Sequence, residues 1–311
     1  MGGSLKKPTL SHRLQVLGIR GAVGALRFVN LQRAGSVGAF LGKLAYRPFG
    51  IRRAVVERQI RAAFPGLDEP DVQRIALASY AHLGRISIEA ALVPGYKHEM
   101  VAELFERVEG WDCFANSMND MSGAMIVTGH LGNWELGGAY IGLRGSRMHA
   151  VARGMENPLF DEFITENRER LNVRVIHDSD AVRKVPRVVR QGGVVGFLFD
   201  QGAAGLASTW VPFFGRYAKT PRGPAVFALR LKAPLVFAVA IRQPAGRYVL
   251  HMENVPITDT GNVEADVDAI VAEYTRILER WVRKYPEQYF WQHRRWKHQR
   301  PGTPPELGDP S

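Results

Sequence analysis

The chain has 311 residues, enough for one large domain or two, and 46% of them are apolar, the proportion of a globular protein with a sizeable core. One cysteine, Cys113, excludes an intramolecular disulfide framework and is expected to be a small buried apolar residue. The net charge of +11 is uneven: residues 1–61 hold twelve Lys and Arg and one acid, Glu57, so the first fifth of the chain carries the whole excess.

The residues between those charges are mostly aliphatic (Leu14, Val16, Leu17, Ile19, Val23, Leu26 and onward), with no stacking platform, which excludes nucleic acid as the partner and favours an anionic membrane surface. No span is expected. A crossing helix needs roughly 17–25 mostly apolar residues, whereas Arg20 and Arg27 break the first stretch and Arg33 and Lys43 bracket the run Ala34–Gly42. Leu14–Tyr46 therefore reads as one or two amphipathic helices lying in the bilayer interface. The alternative is a helix pair packed on the core, with Gly18, Gly21, Gly24, Gly35, Gly38 and Gly42 permitting close approach. No small-residue cleavage site follows a clean apolar core, so no signal peptide is expected, and Lys6 stands where a myristoylation signal has Ser or Thr.

Further on, Arg52–Phe64 reads as a helix stopped by Pro65-Gly66, and Asp68–Leu92 as a long helix stopped by Pro94-Gly95. The texture then alternates. Strands are expected at Ala124–Thr128, His149–Ala152, Val173–Ile176, Val194–Phe199, Pro234–Ile241 and Tyr248–Met252. Helices are expected at Trp134–Leu143, Pro158–Leu171, Asp180–Gln191, Arg222–Leu231 and Val263–Lys284. That alternation implies an α/β fold with a largely parallel central sheet flanked by helices, preceded by membrane-associated N-terminal helices. The boundaries are a basic membrane-associating segment at 1–48, a main domain at 49–300 and a disordered Pro/Gly-rich tail at 301–311.

The segment Ala124–Gly138, AMIVTGHLGNWELGG, delivers His130 from the end of a buried strand, with Glu135 five residues on. His98 and Glu103 share that spacing but lie in a charge-rich run. A histidine at a strand end with a carboxylate one turn into the next element suits a general base with an orienting partner. The backbone N–H groups of Gly132 and Asn133 are expected to form an oxyanion site. Arg153 and Asp200 also fall at strand ends, the edge where open α/β sheets bind ligands. There is no Gly-x-Ser-x-Gly elbow, and no histidine or cysteine at metal-ligand spacing near His130, so neither an acyl-enzyme nor a metal centre is expected.

Ala124–Gly138 resembles the catalytic segment of the bacterial lipid A biosynthesis acyltransferases, of the HX4D/E acyltransferase superfamily. Asn157–Asp161 with Arg168 downstream, Phe199-Asp200, Val211–Gly215 with Thr220, and Pro286–Lys297 resemble further blocks of that family in the same order, covering roughly residues 50–302. The resemblance implies transfer of a fatty acyl chain from a thioester donor, acyl-carrier protein or acyl-CoA, to a hydroxyl of a membrane glycolipid. A lipid A precursor is the simplest acceptor, and the cytoplasmic face of the inner membrane the implied location. His130 would be the base and Glu135 its orienting partner, without a cofactor. Arg153 and Arg168 would be anion clamps, Arg168 matching the family's substrate-placing arginine, although Glu166 and Glu169 beside it also suit a surface helix. Thr220 reads as a cap of the following helix. Trp291–Arg300, basic with two tryptophans, suits a membrane interface, an acidic carrier protein, or a cationic helix end that packs its indoles. Two alternatives stay open: the same chemistry on another glycolipid such as phosphatidylinositol mannoside, or a non-catalytic peripheral membrane protein.

Overall fold

Asn30, between two runs of helix-forming residues, divides the basic segment in the computed structural model of the chain, which describes residues 8–119, 123–202 and 205–310. Lys6 and Lys7 of the basic segment and Ser311 of the tail lie outside the described residues. Helix α1 (Leu10–Leu26) is capped by Thr9, whose hydroxyl accepts from His12 N, and α2 (Leu31–Tyr46) by Asn30, whose amide oxygen accepts from Arg33 N. No helix among the described residues is long and apolar enough to cross a membrane.

After α3 (Arg53–Ala63) and α4 (Glu69–Leu92, capped by Asp68), a short α5 (His98–Ala102) leads into strand β1 (Phe105–Glu109) and α6 (Trp111–Asn119). Then come β2 (Ala124–Thr128), α7 (Trp134–Leu143), β3 (Met148–Ala152), α8 (Pro158–Glu169), β4 (Val173–His177), α9 (Ala181–Arg190) and β5 (Val194–Leu198). The hairpin β6 (Ser208–Phe213) and β7 (Arg216–Pro221) is followed by α10 (Gly223–Leu231), β8 (Leu235–Arg242), β9 (Tyr248–Asn254) and α11 (Val263–Lys284).

Among the described residues seven strands form one sheet in the order β1-β9-β8-β2-β5-β3-β4, parallel throughout except for β8 against β9. Central strands such as β2 and β8 are buried apolar runs because helices cover both faces. All six expected strands are present. β1 is an addition: Phe-Glu-Arg-Val-Glu is mostly exposed, as an edge strand is, and its charges hide it from a hydrophobicity reading. The β6–β7 hairpin turns on Phe214 and Gly215, both at positive φ (51° and 71°), without the Asn-Gly or Asp-Gly signature of such turns. Phe214 is held there by its N–H on Glu279 Oε2 (2.6 Å) and by its ring against Trp291.

The N-terminal glycines divide between packed and open positions. On α2 they are packing surfaces: a Cβ on Gly38 would stand 2.3 Å from Gly84 O of α4, and one on Gly42 would stand 2.0 Å from Tyr80 O. Helix α2 therefore belongs to the body. Gly18, Gly21 and Gly24 of α1 meet nothing within 4 Å. Helix α1 rests on α8 through Val23 and Phe163, and Asn157 Nδ2 donates to His12 O (3.2 Å). The expected disordered tail is also laid on the body, with Arg216 donating to Gly308 O (2.9 Å) and Arg294 paired with Asp309.

Candidate active site

Parallel neighbours β2 and β5 are in register, Thr128 opposite Leu198, so the residues two past each strand end, His130 and Asp200, arrive abreast at the carboxyl edge of the sheet. Asp200, 2% exposed, takes both N–H groups of His130: Oδ1 lies 2.6 Å from Nδ1, and Oδ2 accepts the backbone N–H at 2.9 Å. Burial alone would push this carboxyl up. The charge of His130 and its two hydrogen bonds, with Arg295 nearby, outweigh burial and lower it to about 2. An ionised carboxylate only accepts, so Nδ1–H donates to Asp200, and in the neutral tautomer this leaves the lone pair on Nε2. The ring packs edge-on against Trp134 (4.8 Å) and lies 5.8 Å from Phe290.

Glu135 was expected as the orienting partner of His130, and the structure corrects this by giving Nδ1 to Asp200. Its two oxygens are bound by the fork of Arg168, with Nη2 to Oε1 at 2.6 Å and Nε to Oε2 at 3.0 Å. Burial pushes the Glu135 carboxyl up, but the hydrogen bonds and charge of Arg168 more than offset it and leave the group below its ordinary range. The spacing of five residues placed Glu135 on the first turn of α7. It could not show that the register of β5 brings a better-placed carboxylate to Nδ1.

Gly132 and Asn133 are also not where an oxyanion would find donors. Gly132 N–H donates to Gln288 O (3.1 Å) and Asn133 N–H to Ala240 O (2.8 Å), so both are spent on holding the turn. Gly132 has φ 63°, and a Cβ there would stand 2.0 Å from Ala240 O; only glycine fits. Asn133 caps α7 by accepting from Leu136 N (3.1 Å) and donates to Glu89 Oε2 (3.1 Å), which also accepts from the Tyr248 hydroxyl. Burial raises the Glu89 carboxyl despite those bonds and the nearby Arg242 and Arg85. His82 Nε2 lies 3.0 Å from Gly132 O, and burial lowers its imidazole to about 4, so it is neutral at pH 7 and donates to that carbonyl. Arg153, on the exposed loop after β3, lies 3.7 Å from Asp178.

The C-terminal blocks clasp the same turn. Phe290 N donates to His130 O (2.9 Å) and Leu131 bridges Tyr289. Trp291 and Trp296 are each 1% exposed and sit in the core, which rules out the membrane-interface role for these indoles and matches the packed alternative. Arg295 is buried and donates to Lys219 O (2.8 Å) and Thr220 Oγ1 (2.6 Å), so Thr220 is a strand residue that anchors Arg295 and does not cap α10. Cys113 is half-buried, its thiol on Gly110 O (2.6 Å) and pushed up by burial. The sequence reading missed His82 and Glu89. The available signal was Ser79, His82 and Glu89 recurring on the otherwise apolar stripe of α4.

Between the sheet and α7 lies a narrow cavity of about 60 Å³. Thr128, Trp134, Glu135, Arg168 and Leu198 line it at the carboxyl edge of the sheet, where β2 and β5 end. Its walls are apolar: Ile126, Ile141, Ala150, Gly196, Ala238 and Leu250. The His130 ring packs on Trp134, which lines this apolar slot, and Nε2 has no hydrogen-bond partner among the described residues.

The model of the bacterial lipid A biosynthesis acyltransferase family matches residues 7–298. The chain is 28% identical over 273 residues to a lipid A biosynthesis lauroyltransferase of Escherichia coli, covering 86% of each chain, and 27% identical over 263 residues to a lipid A biosynthesis palmitoleoyltransferase of the same organism, covering 84% of each. A phosphatidylinositol mannoside acyltransferase of Mycobacterium tuberculosis is 28% identical over 165 residues, covering 51% of this chain and 52% of its own. With that match running through every block around His130, the chain belongs to the bacterial lipid A biosynthesis acyltransferase family.

Proposed function

We propose that this protein moves a fatty acyl chain from a thioester, on acyl-carrier protein or coenzyme A, to a hydroxyl of a membrane glycolipid, most simply a lipid A precursor. The observation that carries the reading is His130, its Nδ1 held by Asp200 and its ring against Trp134, which lines the apolar cavity. In this reaction the acceptor hydroxyl attacks the thioester carbonyl carbon while His130 Nε2 takes its proton. The tetrahedral intermediate collapses, the C–S bond breaks, and the imidazolium returns the proton to the departing thiolate. Asp200 holds the tautomer and stabilises the imidazolium. With Gly132 and Asn133 N–H spent, the donors left for the oxyanion are those of Trp134 and Glu135, which open α7 and have no acceptor within the helix. Glu135 acts through Arg168, fixing its guanidinium at the cavity mouth.

The membrane reading is supported by exposed apolar side chains on α1, α2 and the loops beside them. Leu10, Leu14, Leu17, Phe28, Phe40 and Phe49 stand in solvent, Phe28 at 93%, among Arg13, Arg27, Arg33 and Lys43. Each Lys or Arg near an anionic surface contributes about 1 kcal/mol. Helix α1 is tied to Asn157 at the start of α8, just past the carboxyl end of β3, so this patch borders the edge that carries His130. The cytoplasmic face of the bacterial inner membrane supplies both the thioester and the acceptor. A second acceptor class, phosphatidylinositol mannoside, is supported by the similarity over half the chain to an enzyme named for it.

The test is transfer of a labelled acyl chain from acyl-carrier protein or acyl-CoA into total host lipid, read by mass spectrometry for wild type and His130→Ala. A labelled glycolipid formed by wild type alone supports the reading and identifies the acceptor. No labelled lipid from either donor leaves the non-catalytic reading.

A further inference from the structure

The apolar cavity between the sheet and α7 shares one lining side chain with a second cleft. Met148, at the start of β3, lines the cavity and also lines the second, open cleft of about 800 Å³ at the opposite edge of the sheet, among Arg147, Arg174, Asn172 and Gly193. The rest of the partition is backbone and tightly closed. A Cβ on Gly142, at the end of α7, would stand 2.8 Å from Asn172 O and 3.0 Å from Leu171 O, so no wider gap separates α7 from that turn. Met148 itself is 5% exposed, and its methyl occupies the space that Gly196 leaves vacant: a Cβ on Gly196 would be 2.7 Å from Met148 Cε. A flexible, unbranched side chain thus plugs a gap between an apolar slot and a polar cleft.

We propose that Met148, seated over Gly196, is the floor of the acyl-chain site and sets the longest chain that the protein accepts. This rests on the acyl-transfer reading above and goes beyond it by naming the specificity determinant. From Leu198 at the mouth to Val194, the partner of Met148, the slot runs four residue steps of a strand, roughly 13 Å at about 3.3 Å per residue. That is the length scale of a medium-length fatty chain. Everything between is apolar, so each further methylene gains burial until it meets Met148.

Two variants move the floor in opposite directions. Met148→Ala joins the slot to the open cleft, and the preferred chain lengthens. Gly196→Ala adds a methyl inside the slot where only the mobile end of Met148 must give way, and the preferred chain shortens. The experiment measures kcat/KM over a ladder of saturated acyl thioesters differing by two carbons, alongside binding of the matching free fatty acids, with a thermal melt for each variant. The expected result is a shift of the optimum by at least one step up for Met148→Ala and one step down for Gly196→Ala, with about tenfold discrimination per step. An unchanged length profile in folded variants overturns the proposal, and Gly196→Ala decides alone if Met148→Ala does not fold. If wild type binds fatty acids and transfers none, the binding ladder still reads the floor, and only the transfer reading fails.

Discussion

At the residue scale, the chemistry of the site turns on which carboxylate meets which cation. His130 was legible from the strand that ends before it, and Asp200 from its place at another strand end. Their pairing was not, because it depends on β5 lying next to β2, and no local spacing encodes strand order. Glu135 and Arg168 are likewise 33 residues apart and meet only once α7 and α8 are packed. Since the two act as one bidentate unit, Glu135→Gln, Arg168→Ala and the double variant are each expected to lower kcat/KM by about tenfold, with the double no worse than the singles. A double-mutant cycle on acyl transfer checks this, and additive losses would mean that the two side chains act separately.

At the element scale, the helices and central strands were readable because their apolar periods match their burial. The edge strand β1 and the β6–β7 hairpin were not, since one is charged and the other turns on a Phe-Gly pair held by Glu279. The glycines of α1 and α2 look alike in sequence and differ in role. Gly38→Val should cost about 1–3 kcal/mol by driving α2 off Gly84. Gly24→Ala, in open space on α1, should stabilise the fold by about 0.5–1 kcal/mol. Denaturant melts read both. The exposed face of the same helices makes a separate claim: Leu14→Ser with Phe40→Ser should weaken binding to anionic vesicles without lowering the melting temperature. Wild-type binding should fall as salt rises, because screening removes the Arg and Lys contribution. Unchanged vesicle binding by the double variant would remove these helices from the membrane account.

At the scale of the whole molecule, the excess charge sits at one end while the site is wired through buried polar groups. His82 and His293 are both lowered to about 4, chiefly by burial, from an unfolded value near 6.5. The unfolded chain therefore binds more protons between those values, and stability falls as pH drops from about 6.5 to about 4, by up to about 1.4 kcal/mol per pH unit for each histidine. Asp200 is lowered, so its contribution is present above its unfolded pKa and is lost as pH falls toward about 2. Chemical denaturation across this range, on wild type and His82→Gln, should show a shallower acid slope in the variant. An identical slope would contradict the buried neutral state of His82.

The most direct test of the site compares Asp200→Asn with Glu135→Gln in single-turnover acyl transfer. Asp200→Asn leaves the shape intact but offers Nδ1 the wrong partner, and its rate is expected to fall by roughly 10²–10⁴-fold, well beyond the loss in Glu135→Gln. The reverse order, with Glu135→Gln nearly inactive and Asp200→Asn close to wild type, would contradict the assignment of Asp200 as the partner of His130.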